Sequence, residues 1–513
     1  MSQLAQIRRG SAREPGDGRP RSLASQMLEL TRHSAIYGIG GLVSRFLAVF
    51  MLPLYTSHVS TADYGRIELL MTAMAVAVVV LRGGASFGFV RFYFLEKGAE
   101  YRRRLIRTVF WAQMTYSTIA LALCVLFAPQ IARVLGIESH RAGAHLHGSG
   151  ASLVMATAVL LWANVNYAQM TNLFRVEQRS LAFSLATVAN IGVTVPLTVI
   201  LVVVFREGPL GIIVGNFSGT LVIYLILLAY RREQLGLQFD RELLRGINRF
   251  GVPLMAAGLA MWVTNFGDRF MLSKLLHGTY ALDQVGQYSL ANKIGSALVL
   301  LFTAFQVAWP AFAYSIEDER EAKRAYAFVL TYLMYVAAWA AVALSLFAPW
   351  IVRLLGRKPE YWPAQTAVPA LVYSSVFYAG FIVVTIAIGR LRRTKFNWIV
   401  ASAAAVLNFG LNVWLIPAYG MLGASYATLA AYVLLMLGRT WHAQRIYPVR
   451  YQWRRVATIL LAAGALTGLG EAFRHSLPLA FGLTLAYPLV LAPLGFYLPA
   501  ERKRLRRLLP AHN

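Results

Sequence analysis

The chain has 513 residues, 58% hydrophobic and only 14% charged, with a mean hydropathy of +0.55. A soluble domain carries about 25% charged residues, so the composition excludes a soluble enzyme and matches a chain supplying about twenty apolar residues to each of many membrane spans. The formal charge of +27 would suit a nucleic-acid partner in a soluble protein. In a chain this apolar, basic residues instead set topology or hold an anionic ligand.

Residues 1–32 are polar and rich in Arg, Gly and Pro, and read as a basic cytoplasmic tail without fixed structure rather than a cleavable leader. Apolar runs follow at 34–56, 67–90, 106–128, 151–173, 181–205, 209–230, 250–276, 286–313, 326–349, 364–388, 396–417, 420–438, 456–472 and 479–498. They predict an all-α polytopic membrane protein of about fourteen helices, because helices satisfy their own backbone hydrogen bonds in lipid. The expected organisation is a first lobe at 33–232 (helices 1–6), a second at 233–445 (helices 7–12), two further helices at 446–500, and a basic tail at 501–513. Cys124, the single cysteine, lies in an apolar run and can form neither an internal disulfide nor a cysteine metal site.

The basic residues support this count. With a cytoplasmic N-terminus, 35 of the 49 Lys and Arg fall at inner ends and nine at outer ends. Positive-inside bias produces that alternation, and it places both termini in the cytoplasm. The remaining five are Arg45, Arg82, Arg91, Arg269 and Lys293, all within or at the edge of spans.

The two lobes read as copies of one unit. Leu126–Gly136 is LFAPQIARVLG and Leu346–Gly356 is LFAPWIVRLLG, identical at eight of eleven positions. At similar offsets Gly65 corresponds to Gly286, and Asn190-x-Gly192 recurs as Asn408-x-Gly410. Six helices per copy is an even number, so the repeat is parallel about the membrane normal, an architecture of alternating-access transporters.

A Lys or Arg at mid-bilayer costs about 2.5–3.5 kcal/mol on the insertion scale, so the five interior cations must face water, a partner or a ligand. Arg45, Arg82 and Arg91 belong to helices 1 and 2, and Arg269 and Lys293 to helices 7 and 8, which correspond in the two copies. If those helices line the lobe interface, the cations form a ladder in a cavity that selects an anion, and Arg suits bidentate phosphate contacts. Glu68 and Asp268 are the nearby acids and the candidates for ion coupling. Asp268 and Arg269 are adjacent and point about 100° apart on a helix, so they do not face each other. Tyr37, Tyr288 and Trp309 are candidate sugar-stacking aromatics, with packing or an interfacial belt as the plainer role. His140, His145 and His147 sit in the longest outer loop and are read as solvated rather than metal-binding.

The run SAIYGIGGLVSRFLAVFMLPLYTSHVSTADYGRIELL resembles the opening of polysaccharide transporters of the multidrug/oligosaccharidyl-lipid/polysaccharide exporter superfamily. GDRFMLSKLLHGTYALDQVGQYSLANKIGS resembles their seventh-to-eighth helix region. Arg45 matches the first-helix arginine of that pattern, and Asp268, Arg269 and Lys293 match its second-lobe polar positions; Arg82 is placed by depth alone. The resemblance implies a flippase of the O-antigen or exopolysaccharide type in a bacterial inner membrane. Its cargo would be a polyprenyl-diphosphate-linked oligosaccharide, and its partners would be membrane lipids and the polysaccharide polymerase machinery, with no nucleic acid. It also implies coupling to a Na⁺ or H⁺ gradient, with no cofactor and no catalytic residue. The alternatives are a cation-coupled multidrug antiporter, whose site should offer carboxylates rather than arginines, and a glycan polymerase or ligase. The latter would need a large outer loop, and no Walker-type phosphate loop is present for an ATP-driven pump.

Overall fold

The computed structural model describes residues 49–96, 98–138, 149–390, 397–473 and 476–499. Most of predicted helix 1, with Tyr37 and Arg45, and the three loop histidines lie outside the described residues. The described elements are α1 (Leu52–His58), α2 (Thr61–Leu95), α3 (Ala99–Leu126), α4 (Ala128–Leu135), α5 (Gly150–Val176), α6 (Ser180–Val199), α7 (Gly208–Tyr230) and α8 (Arg241–Leu275). They continue as α9 (Gly278–Ser315), α10 (Glu319–Leu346), α11 (Ala348–Leu355), α12 (Val368–Arg390), α13 (Asn397–Tyr419), α14 (Met421–Ile446), α15 (Trp453–Ala472) and α16 (Leu477–Val490).

Eleven of these helices are long and apolar enough to cross a membrane, and α16 is a shorter apolar helix. The chain is an all-α polytopic membrane protein. Its outside is correspondingly apolar: Leu181, Val406, Trp414 and Leu461 are each at least 70% exposed, which in water would amount to an aggregating surface. Polar caps start the helices where the chain leaves its loops. Ser60 Oγ accepts from the Asp63 amide at 3.1 Å, and Asp240 Oδ1 from the Leu243 amide at 2.9 Å.

The internal repeat shows in the backbone. In each copy a 28-residue helix ends on a phenylalanine, Phe127 or Phe347, and an eight-residue helix starts with proline in its first turn. Proline lacks the amide that would continue the helix, so predicted spans 106–128 and 326–349 each break at the Phe-Ala-Pro signal. The π-helical turn Ile200–Val204 extends α6.

One apolar core joins Phe89, Leu105, Phe110, Leu173 and Tyr224 of the first bundle and recruits Leu244 and Ile247 from the start of α8. A larger core centres on Leu330, Met334, Val372 and Val383 of the second bundle and recruits Leu52, Tyr55, Leu153 and Ile212 from the first. The bundles are thus joined near both ends of α2, which packs along α8 and α9.

Glycines permit that approach. A Cβ on Gly65 would lie 2.0 Å from the Leu282 carbonyl oxygen, and one on Gly286 would lie 2.2 Å from that of Thr61. Toward the other end of α2, a Cβ on Gly251 would lie 1.8 Å from the Gly84 carbonyl oxygen. Real Cβ atoms do not come that close, so backbone meets backbone in both places. Gly83 departs from helical geometry (φ 52°, ψ −168°) and bends α2 beside Arg82.

Candidate functional site

At the N-terminal end of α2 the bundles are latched by hydrogen bonds. Thr56 Oγ1 donates to the Leu355 carbonyl at 2.5 Å, Lys358 Nζ to that of Val59 at 3.1 Å, and the Tyr361 hydroxyl to that of Ser60 at 2.9 Å. The Thr61 hydroxyl donates to Asp283, and its amide to Glu360 Oε1 at 3.3 Å. Tyr361 lies outside the spans, and burial, then nearby Glu360, Asp63 and Asp283, push its hydroxyl pKa well up, so it stays a neutral donor.

Two turns further along α2, Glu68 points across the seam. Its Oε1 is 2.6 Å from Lys293 Nζ of α9, and its Oε2 is 3.5 Å from Arg269 Nε of α8. Lys293 also donates to the Tyr64 hydroxyl, and Arg269 Nε donates to Ser289 Oγ at 2.8 Å. Glu68 and Arg269 are 7% and 4% exposed. Two cations face one carboxylate, and Arg269 Nη1 is buried without a partner among the described residues. The cluster therefore carries a net positive charge and an unused donor.

Asp268 turns away from this seam, as its 100° offset from Arg269 requires. Its Oδ2 accepts from the Tyr288 and Thr428 hydroxyls, and its Oδ1 from Asn412 Nδ2, each at 2.6 Å. Asn412 also reaches Asn408 Oδ1 at 3.2 Å. The carboxylate is 2% exposed and sits among three donors from α9, α13 and α14. The oxygens of Asp268, Thr428, Asn408 and Asn412 are the ligand type that hard cations take.

The structure therefore brings Glu68, Arg269 and Lys293 into one cluster and sets Asp268 directly behind it. Among the described residues, Arg82 and Arg91 stand apart from Arg269 and Lys293 rather than continuing a ladder with them. Arg91 is exposed and lies 4.3 Å over the Phe250 ring, close to the end of α2. Arg82 lines a separate cavity between α2, α5 and α6. Glu68, expected as a coupling carboxylate, is held in the ion-paired cluster. Tyr288 spends its hydroxyl on Asp268, and Trp309 is 2% exposed and stacked on Phe305, so both aromatics are packed inside. Tyr64, Ser289, Asn408, Asn412 and Thr428 were not singled out from the sequence as site residues. The available signal was neutral polar residues inside apolar spans, with Asn408 and Asn412 one helical turn apart.

This fold, two bundles closed on a shared seam, is shared with known membrane transporters. Lipid II flippase MurJ in an inward closed conformation superposes with a TM-score of 0.69 at 14% identity, covering 90% of this chain and 99% of that one. An inward-facing multidrug resistance transporter of the MATE family and MOP superfamily superposes with a TM-score of 0.60 at 15% identity, covering 82% and 98%. A membrane protein of Methanocaldococcus jannaschii, described as uncharacterized, is 22% identical over 466 residues, 84% of this chain and 88% of its own length. The polysaccharide biosynthesis protein family profile matches residues 58–358, which contain the seam and Asp268. The chain belongs to that family.

Proposed function

We propose that this protein is a flippase that moves a polyprenyl-diphosphate-linked oligosaccharide across a bacterial inner membrane by alternating access, supplying surface polysaccharide synthesis. The observation that carries the reading is the seam cluster: one carboxylate from the first bundle pairing with both Arg269 and Lys293 of the second. Parting the bundles at this end withdraws Glu68 and leaves two cations facing the opening. A diphosphate is the anion that replaces a carboxylate there, and Arg269 can hold it with two parallel hydrogen bonds. Glu68 thus stands in for the cargo in the closed state and makes closing without cargo possible. With the basic loops cytoplasmic, the latched end faces outward and both termini face inward.

Asp268 is the coupling group in this reading. A proton or a sodium ion taken up by the carboxylate changes the charge one residue from Arg269, and so the strength with which the seam holds an anion. The multidrug antiporter of the same fold fits less well: the carboxylate of the seam cluster is already paired with two cations, and Asp268 is enclosed and accepts three hydrogen bonds.

The test is deletion of the gene followed by mass spectrometry of polyprenyl-diphosphate glycans and staining of surface polysaccharide. Complete lipid-linked repeat units should accumulate while surface glycan is lost. Unchanged surface glycan with new sensitivity to cationic drugs would replace this reading with the antiporter.

A further inference from the structure

The cavity between α2, α5 and α6 differs in kind from the seam. Its volume is about 330 Å³, room for a group of waters or a ligand's polar head. Arg82 of α2 faces Asn164, Tyr167, Asn172 and Arg175 of α5 and Asn190 of α6 across it. On α5 these positions fall at successive helical repeats, so they form one polar stripe along the helix. Asn190 is fixed, donating to Thr220 Oγ1 and accepting from Thr194 Oγ1, both at 3.1 Å. Arg175 rests 4.7 Å over the Phe183 ring.

Arg82 Nε is buried with no hydrogen-bond partner among the described residues. Among the described residues lining the cavity there is no carboxylate. The exposed Arg175 guanidinium repels that of Arg82 across the cavity, and Arg82, within its span, is costly to hold there without counter-charge. Each carries five N–H donors in a planar fork, a match for an anion with many oxygens.

We propose that this cavity is a second anion site, confined to the first bundle, that binds a diphosphate between Arg82 and Arg175 with Asn164 and Asn172 as further donors. It takes the cargo's anionic head while Glu68 still occupies Arg269 and Lys293. In that last respect the proposal rests on the flippase reading; the anion site itself does not.

The experiment uses the full-length protein in phosphatidylcholine nanodiscs, titrated calorimetrically with inorganic pyrophosphate. Parallel nanodiscs contain polyprenyl diphosphate or phosphatidylglycerol as competitors. Saturable pyrophosphate binding is expected, weakened tenfold or more by Arg82→Gln and by Arg175→Gln and unchanged by Arg320→Gln on the distant start of α10. Competition by polyprenyl diphosphate and not by phosphatidylglycerol identifies the carrier lipid as the source of the bound head. Three results overturn the proposal: no saturable binding, full affinity in Arg82→Gln, or equal competition by phosphatidylglycerol. Loss of binding in Lys293→Gln with none in Arg82→Gln also overturns it, by moving the anion to the seam. Should the arginine variants not fold, Asn172→Cys in a Cys124→Ser background gives a second readout. Pyrophosphate should slow its alkylation at least fivefold, and an unchanged rate again overturns the site. Binding at Arg82 in a protein whose deletion leaves lipid-linked glycans normal would remove the flippase reading and keep the anion site.

Discussion

Asp268 in the second bundle and Arg82 in the first are both single charges within membrane helices, yet the first accepts three hydrogen bonds of 2.6 Å and the second is left with a buried, unpartnered Nε. The repeat makes the contrast sharper. Asn190 and Asn408 occupy corresponding places, and each helps to line its bundle's polar site. In the second bundle that asparagine joins a network that ends on a carboxylate held by three donors, with Asn408 Nδ2 and Asn412 Oδ1 left unpartnered among the described residues; in the first it lines a cavity. A carboxylate held by three donors stiffens the core around it, whereas a cation facing a cavity is retained at a cost in stability. One copy of the unit holds its own charge and the other holds space for a foreign one.

Asp268→Ala should have the largest effect, because it strands three donors that each make a charge-assisted bond worth about 1.5–3 kcal/mol. A loss of about 5 kcal/mol in detergent unfolding is expected, together with loss of transport. Asp268→Asn keeps the shape, and should fold yet move glycan independently of an imposed proton or sodium gradient in proteoliposomes. Retained coupling would assign the ion elsewhere.

Glu68→Gln comes next. Removing one partner of a buried ion pair costs about 3–5 kcal/mol, here by leaving Lys293 and Arg269 facing each other. The loss should fall on the closed state, so thiol labelling of a cysteine placed at Ser289 should speed up. Arg82→Gln should act with the opposite sign. Without a ligand it should raise stability by about 2 kcal/mol, near the insertion cost of the charge, and stabilisation by pyrophosphate should vanish with it. Destabilisation of the ligand-free protein would show that Arg82 has a structural partner and that the two bundles are not opposites. Arg175→Gln, at an exposed position, should change ligand-free stability by less than about 1 kcal/mol while still weakening the anion.

The parts of the fold that were legible in the sequence were those that apolar content and proline govern. The spans follow hydropathy, and the two Phe-Ala-Pro segments announced the repeat because the same residues recur in register, with proline starting a new short helix in each copy. The five interior cations stood out because lipid makes them costly. What the sequence could not show was pairing. Glu68 meets Lys293 across 225 positions of chain, and nothing local distinguishes it from a helix-starting acid. Asn408, Asn412 and Thr428 carry no charge, so a census of charges passes over the residues that hold Asp268. Arg231, counted as a marker of topology, is 2% exposed and makes two hydrogen bonds of 2.9 and 2.8 Å to Glu177; its role in holding the first bundle together depends on a fold that brings loops side by side. Gly83 reads as one more small residue in an apolar run, and only its backbone angles reveal the bend that carries Arg82 away from the seam.

The two closures of α2 differ in what they are made of, and the difference has a mechanical consequence. At the Gly65–Gly286 end, separation must break a set of hydrogen bonds worth about 1 kcal/mol each, all at once and with water admitted. At the Gly84–Gly251 end the backbones touch through glycine, beside a bend, and the contacts of the described residues there are apolar packing and Arg91 over the Phe250 ring, attractions that fade gradually as surfaces slide apart. One end behaves as a catch that holds until it snaps, the other as a soft bearing that yields under thermal motion. On the flippase reading, an empty molecule built this way should open mostly toward the bearing, which would bias the direction of loading before any gradient acts.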